Sequence, residues 1–205
     1  MIRLTDVVKQ LLIINVLIYF LSQLHLNFMP DMAMYYPGSD QFKPYQIITH
    51  MFMHGSLTHL FFNMFMLFTF GPMLESFMGS KRFLFYYFFC GLGAILTHTI
   101  MWYLEVQQYN PLEMAAYLAH PGSVVGASGA LFGVLIAFGM YFPDQKLMLL
   151  FPPIPLKAKY MVILAIGLEV YLQASESQTQ VAHFAHLGGA LFGFLIILFW
   201  RKTGK

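Results

Sequence analysis

Long apolar runs, separated by short breaks rich in polar residues, proline and glycine, dominate the chain. A scan for stretches of about 18 or more apolar residues, or shorter ones closed by turn residues, picks out six segments. These are residues 7–24, 57–77, 83–104, 128–142, 158–174 and 181–200. The pattern predicts an all-α polytopic membrane protein, six transmembrane helices in one membrane domain over residues 1–205, with nothing left for a separate soluble domain. Segment 4 is unusually short. Running from Ser128 and closed by Pro143-Asp144, it makes a helix of roughly 22 Å against an apolar slab of about 30 Å. With its far end at the cytoplasmic face, Ser128 lies roughly 8 Å below the opposite surface, and the glycine-rich chain before it must dip into the bilayer. Irregular backbone at that depth is tolerated only beside protein or a water-filled cavity, so a cavity is expected at Ser128.

The breaks carry information of their own. Residues 25–56 form a long first loop with Pro30, Pro37, Gly38 and Pro44. Residues 105–127 end in "HPGSVVGA", whose Pro121, Gly122 and Gly126 resist both helix and strand. In "FPPIPLKAKY", Pro152, Pro153 and Pro155 force an extended link before segment 5.

Composition agrees with the pattern: 59% of the 205 residues are hydrophobic and only 10% are charged. The positive charge sets an orientation. Of the 11 basic residues, all but Lys43 fall on one side when both termini are cytoplasmic. The net charge of +2 therefore speaks for topology and not for nucleic acid. Arg3 and Lys9 before an apolar stretch also suit a signal peptide, but no small-x-small cleavage site follows, and segment 1 is read as an anchor. Cys90, the lone cysteine, lies within segment 3, which leaves neither a disulfide framework nor a cysteine metal cluster.

Polar groups in a bilayer cost free energy, so each one is a candidate for function. Segment 2 opens with "LTHLFFNMF", placing His59 and Asn63 on one helical face. Segment 6 opens with "VAHFAHLGGALFG", which puts His186 roughly 7 Å below the helix start, close to the depth of Ser128. Gly129 and Gly133 in segment 4, and Gly189 and Gly193 in segment 6, have the GxxxG spacing that lets helix backbones approach. A serine and a histidine can then meet. Imidazole accepts the hydroxyl proton during nucleophilic attack and returns it to the leaving amine. The oxyanion so formed needs donors, and the Ser128 N–H at a helix start, His59 and Asn63 supply them. No third carboxylate is expected, because Glu75 and Glu169 lie toward the wrong ends or on another helix.

Taken singly, each of these residues has an ordinary explanation: Ser128 as a packing residue or cap, His59 and Asn63 as interhelical hydrogen-bonders, His183 as a structural histidine. Glu75 is either solvated or pinned to a loop N–H. A histidine-based metal-dependent hydrolase is the competing chemistry, since His50, His54, His59, His183 and His186 share one half of the membrane and His50 and His54 have helical i, i+4 spacing. Against it, the chain has no HExxH and no acidic residue among these histidines. A proton-coupled transporter would show repeated halves with broken helices, and none are visible.

The motifs in their order, "HMFMHGSLTHLFFN", "GPMLESFMGS", "GASGALFG" and "AHLGGALFG", resemble the rhomboid intramembrane serine proteases over nearly the whole chain. The resemblance implies a six-helix core in a minimal bacterial form, Ser128 as nucleophile, His186 as general base, and an oxyanion hole from His59, Asn63 and the Ser128 amide. Gly126 and Gly129 fit the family's GxSG, and Gly189 and Gly193 fit its AHxxGxxxG. It implies a bacterial plasma-membrane enzyme that opens away from the cytoplasm and needs no cofactor or metal. Its substrates would be single-pass transmembrane proteins, cut after a small residue in or beside a locally unwound helix. The chain departs from the family at Tyr45-Gln46, where many members carry Trp-Arg, so the usual anchor of the first loop is missing. Phe132 stands where some members place a tyrosine against the histidine. A non-catalytic, protein-binding relative would lack Ser128 or His186, and both are present. Segment 5, whose small-residue packing is limited to Gly167, is expected to be the loose lateral wall through which substrate enters, with Leu168 and Tyr171 facing segment 2.

Overall fold

The computed structural model describes residues 4–24, 29–148, 154–175 and 180–204. Each of the six apolar runs lies in a helix. In chain order, α1 is Asp6–Gln23, followed by α2 (Met29–Met32), strand β1 (Met34–Tyr35), α3 (Gln46–Thr49) and a 3-10 turn at His50–Phe52. Then come α4 (Leu57–Met78), α5 (Ser80–Val106), α6 (Pro111–Ala119), strand β2 (Ser123–Val124) and α7 (Ser128–Tyr141). Strands β3 (Lys146–Met148) and β4 (Pro155–Lys157), α8 (Ala158–Ala174) and α9 (Gln180–Thr203) complete the order. Among the described residues, α1, α4, α5 and His183–Thr203 of α9 are long and apolar enough to cross a membrane. Their outward faces carry Ile13, Leu17, Phe61, Phe62, Phe85 and Leu195, all exposed, as suits an integral membrane protein with lipid for solvent.

Helix α7 is short because it is the core. Every residue from Gly129 to Leu135, with Ala137 and Phe138, is buried, and α4, α5, α8 and α9 pack around it. A helix that is apolar all round belongs inside a bundle, not against lipid. The expected approach of segments 4 and 6 is very close: a methyl group at Gly189 would lie 1.8 Å from the Gly129 carbonyl oxygen. One turn on, the same methyl at Gly133 would meet Cys90 Sγ at 2.3 Å, and at Gly193 the Tyr86 hydroxyl at 2.5 Å. Three helices therefore share the seam. The Tyr86 hydroxyl donates to the Gly133 carbonyl at 2.7 Å and so satisfies the one polar group it brings into the core.

Glu75, buried near the end of α4, accepts from the backbone N–H of Val7 at 3.1 Å and of Val8 at 2.9 Å, from the Thr5 hydroxyl, and from Ser80 Oγ at 2.7 Å. Those N–H groups are orphans of the first turn of α1, so the carboxylate caps one helix while bracing the turn into α5. Of the proline link, Pro152 and Pro153 lie outside the described residues. Pro155 begins β4, which pairs antiparallel with β3 in the register Lys146↔Lys157.

Three helices lie outside the apolar runs, α2, α3 and α6, of which α6 is the longest. Helix α6 buries no residue, but Asn110 accepts from Leu112 N–H at 2.9 Å and Glu113 N–H at 3.0 Å, while Glu113 accepts from Asn110 N–H at 2.8 Å. This reciprocal capping box, with Pro111 at the first helical position, makes a helix from local chemistry alone.

Candidate active site

The first loop is anchored through Gln46. Its fully buried amide donates to the carbonyls of Asp31 (3.1 Å) and Gln41 (3.0 Å) and accepts from Lys43 N–H (3.0 Å) and Tyr35 N–H (3.5 Å). With Tyr45-Gln46 in place of Trp-Arg, the loop is thus anchored by the Gln46 amide. The anchored loop reaches the chain before Ser128 twice. Strand β1 pairs with β2 in the register Met34↔Val124, and the His50 carbonyl accepts the Gly126 N–H at 2.8 Å. His50 and His54 do not share a helical face, because the chain leaves the 3-10 turn in extended conformation at Met53.

Gly126 has φ of 126°, a conformation that disfavours any side chain, and a methyl there would lie 2.8 Å from the His59 ring. The bend delivers Ser128 to the first position of α7, where the backbone N–H has no partner within its own helix. Ser128 Oγ lies 2.8 Å from His186 Nε2. The His186 ring stacks on Phe132 with centroids 4.5 Å apart and planes 10° from parallel, which fixes its plane without a hydroxyl. A cavity of about 30 Å³, lined by His50, Met51, Gly126, Ser128 and His186 among others, opens beside the pair. That is room for about one water molecule.

The other candidate donors are nearby with different engagements. The His59 ring faces Gly126, on the same spot that a methyl there would share with Ser128 Oγ at 3.6 Å. Asn63 Nδ2 donates to the His59 carbonyl at 2.9 Å, leaving one amide N–H to spend, and its Oδ1 is buried with no partner among the described residues. His54 packs edge-on against His59 at 5.0 Å. Burial lowers the pKa values of His50 and His54 to about 4, so both loop histidines are neutral near pH 7.

The expectation of no third carboxylate is corrected by α8. Glu169 Oε1 lies 3.0 Å from His186 Nδ1, within ion-pair distance though not aligned as a full hydrogen bond, and Glu169 Oε2 lies 2.6 Å from His183 Nδ1. His183 is thus a structural hydrogen-bonder with a specific partner. The signal was in the sequence: Glu169 lies roughly 8 Å from the Ala174 end of α8, the same depth assigned to Ser128 and His186. Ligand atoms of Glu169, His183 and His186 all fall within 4.8 Å of one another, so among the described residues this group could also hold a metal. Leu168 and Tyr171 are exposed on α8, whose main packing partners are α9 and α7.

Residues 41–203 match the family model of the rhomboid domain. The chain is 34% identical over 152 residues to rhomboid protein 1, mitochondrial, of Saccharomyces cerevisiae, covering 73% of this chain and 40% of that protein. It is 30% identical over 153 residues to rhomboid protease AarA of Providencia stuartii, covering 71% of this chain and 52% of that protein. The chain thus spans about half or less of the length of these relatives. With the rhomboid domain matched over most of its length, the chain belongs to the rhomboid family.

Proposed function

We propose that the chain is an intramembrane serine protease that hydrolyses peptide bonds in or beside transmembrane helices of other membrane proteins. The observation that carries this reading is the 2.8 Å contact between Ser128 Oγ and His186 Nε2 beside a water-sized cavity inside an apolar bundle. The hydroxyl attacks the scissile carbonyl carbon as its proton passes to Nε2. The carbonyl oxygen, now negative, accepts from the Ser128 N–H and from His59 and Asn63. Collapse breaks the C–N bond, and the Nε2 proton goes to the departing amine. A cavity water, deprotonated by the same nitrogen, then releases the acyl group from Ser128.

Substrates are single-pass helices that unwind at the site, since an intact helix keeps its carbonyls in its own hydrogen bonds. Both termini are cytoplasmic and the site opens on the opposite side, as the segregation of basic residues supports. Ser128→Ala removes only a hydroxyl, so it should abolish fluorophosphonate labelling and substrate cleavage while leaving thermal unfolding unchanged; cleavage by the purified variant would end the reading. The grouping of Glu169, His183 and His186 favours a metal-dependent hydrolase as the second reading. Strong chelator separates the two: the serine mechanism keeps full activity, whereas a loss that zinc restores belongs to the metal.

A further inference from the structure

Helix α8 buries little of itself. Ala158 and Glu169 are its buried residues, while Ile163, Leu164, Leu168 and Tyr171 around them are more than half exposed. A carboxylate carried inward by so exposed a helix is costly unless it is paired. It is paired, and with the one imidazole that faces Ser128.

We propose that Glu169 is the positioning residue of His186, completing a Ser128–His186–Glu169 triad in which His183 holds the second carboxylate oxygen. The proposal rests on the serine-protease reading above. Each ring nitrogen of His186 has one neighbour: Nε2 faces the Ser128 hydroxyl at 2.8 Å and Nδ1 faces Glu169 at 3.0 Å. A carboxylate accepts only, so it selects the tautomer with the proton on Nδ1, which leaves Nε2 bare to take the serine proton. As that proton arrives, the ring becomes cationic and the fixed negative charge behind it stabilises the new state. Glu169 keeps its own charge throughout and takes no proton. The bond from His183 Nδ1 to Oε2, 2.6 Å long, stops the carboxylate from turning away, and Phe132 holds the ring plane. The imperfect alignment at Nδ1 suits a resting enzyme, since catalytic hydrogen bonds tighten when substrate binds. The carboxylate reaches the pair from α8 and not from the α7–α9 seam, so the orientation of the base depends on where α8 sits.

Glu169→Gln keeps the volume and removes the charge, and its decisive readout is the split between kcat and KM in the full chain in detergent. The expected result is a fall in kcat on the order of tenfold or more, a KM within about twofold of wild type and an unchanged unfolding midpoint. The second-order rate of labelling by a small fluorophosphonate, which needs no substrate helix to enter, should fall in parallel. A role confined to packing α8 predicts wild-type labelling, and that result overturns the proposal. So does activity lost to chelator and restored by zinc, which would make Glu169 a ligand. Nitrogen-15 shifts of His186 in the wild-type protein test the same idea without any variant: protonated Nδ1 with bare Nε2 supports it, and the reverse tautomer overturns it. Ser128→Ala run alongside keeps the two readings apart, because labelling that survives there sinks the dyad itself and not only its third member.

Discussion

Replacing Gly189 by alanine tests whether the α7–α9 seam sets the catalytic geometry. The added methyl would sit 1.8 Å from the Gly129 carbonyl oxygen, where real contacts stay beyond 3.0 Å, so the backbones must part by about 1.2 Å at that point. The methyl meets backbone atoms of Gly129, its O, C and Cα, so no neighbouring side chain can turn aside to relieve the clash. Gly129 follows Ser128 directly and Gly189 lies one turn beyond His186, so the separation falls on the pair itself. Displaced along its own line, the 2.8 Å contact would open to about 4.0 Å, past hydrogen-bond reach. The expected cost is about 1–3 kcal/mol in stability from overpacking, and about 10²-fold or more in rate, as for a misplacement of roughly 1 Å at other catalytic centres. Fluorophosphonate labelling rates and thermal unfolding in detergent measure the two separately. Gly167→Ala is the matched control: nothing lies within 4 Å of that position, so labelling should stay at wild-type rate while helix propensity adds up to about 1 kcal/mol. Wild-type labelling by Gly189→Ala would refute the argument that this seam positions the serine.

His59→Ala and Asn63→Ala should each slow turnover by roughly 2.7–4 kcal/mol of transition-state stabilisation without preventing expression, and unaltered kcat in either would remove that side chain from the oxyanion site. Gln46→Ala leaves four backbone groups of the first loop without their partner, so a loss of about 1–3 kcal/mol and faster proteolysis within residues 31–49 should follow; an unchanged cleavage pattern would show that the strand pair suffices. The pH dependence of stability has a definite sign. His50 and His54 have folded pKa values of about 4, below the ordinary 6.5, so the unfolded chain binds more protons between those values and stability falls as pH drops through that window, by up to about 3 kcal/mol for each residue. Unfolding midpoints between pH 7 and pH 4 check it, and His54→Phe should flatten the slope if burial of that ring is the cause.

Position along each helix was legible in the sequence. A helix rises by a fixed amount per residue, so once the apolar runs are located, Ser128 and His186 fall at one depth from counting alone. GxxxG spacing added that two backbones could touch, because only glycine leaves room for it. The capping box of α6 was equally local, written in Asn110, Pro111 and Glu113 rather than in any apolar run. Which face of each helix turns toward which neighbour is a different kind of fact. Glu169 had the right depth all along, yet a residue on a largely exposed helix reads as lipid-facing or solvated until the rotation of α8 about its axis is known. The same holds for Gln46, whose amide reaches backbone groups from Asp31 to Lys43, and for Cys90 and Tyr86, which make α5 the third wall of the seam. The sequence by itself determined the long apolar helices and the place of each candidate residue along them, because rise, apolarity and side-chain chemistry are local properties. Only the tertiary structure decided the azimuth and partner of each helix, and with them the carboxylate behind His186, because those follow from the simultaneous packing of the helices and belong to no single segment.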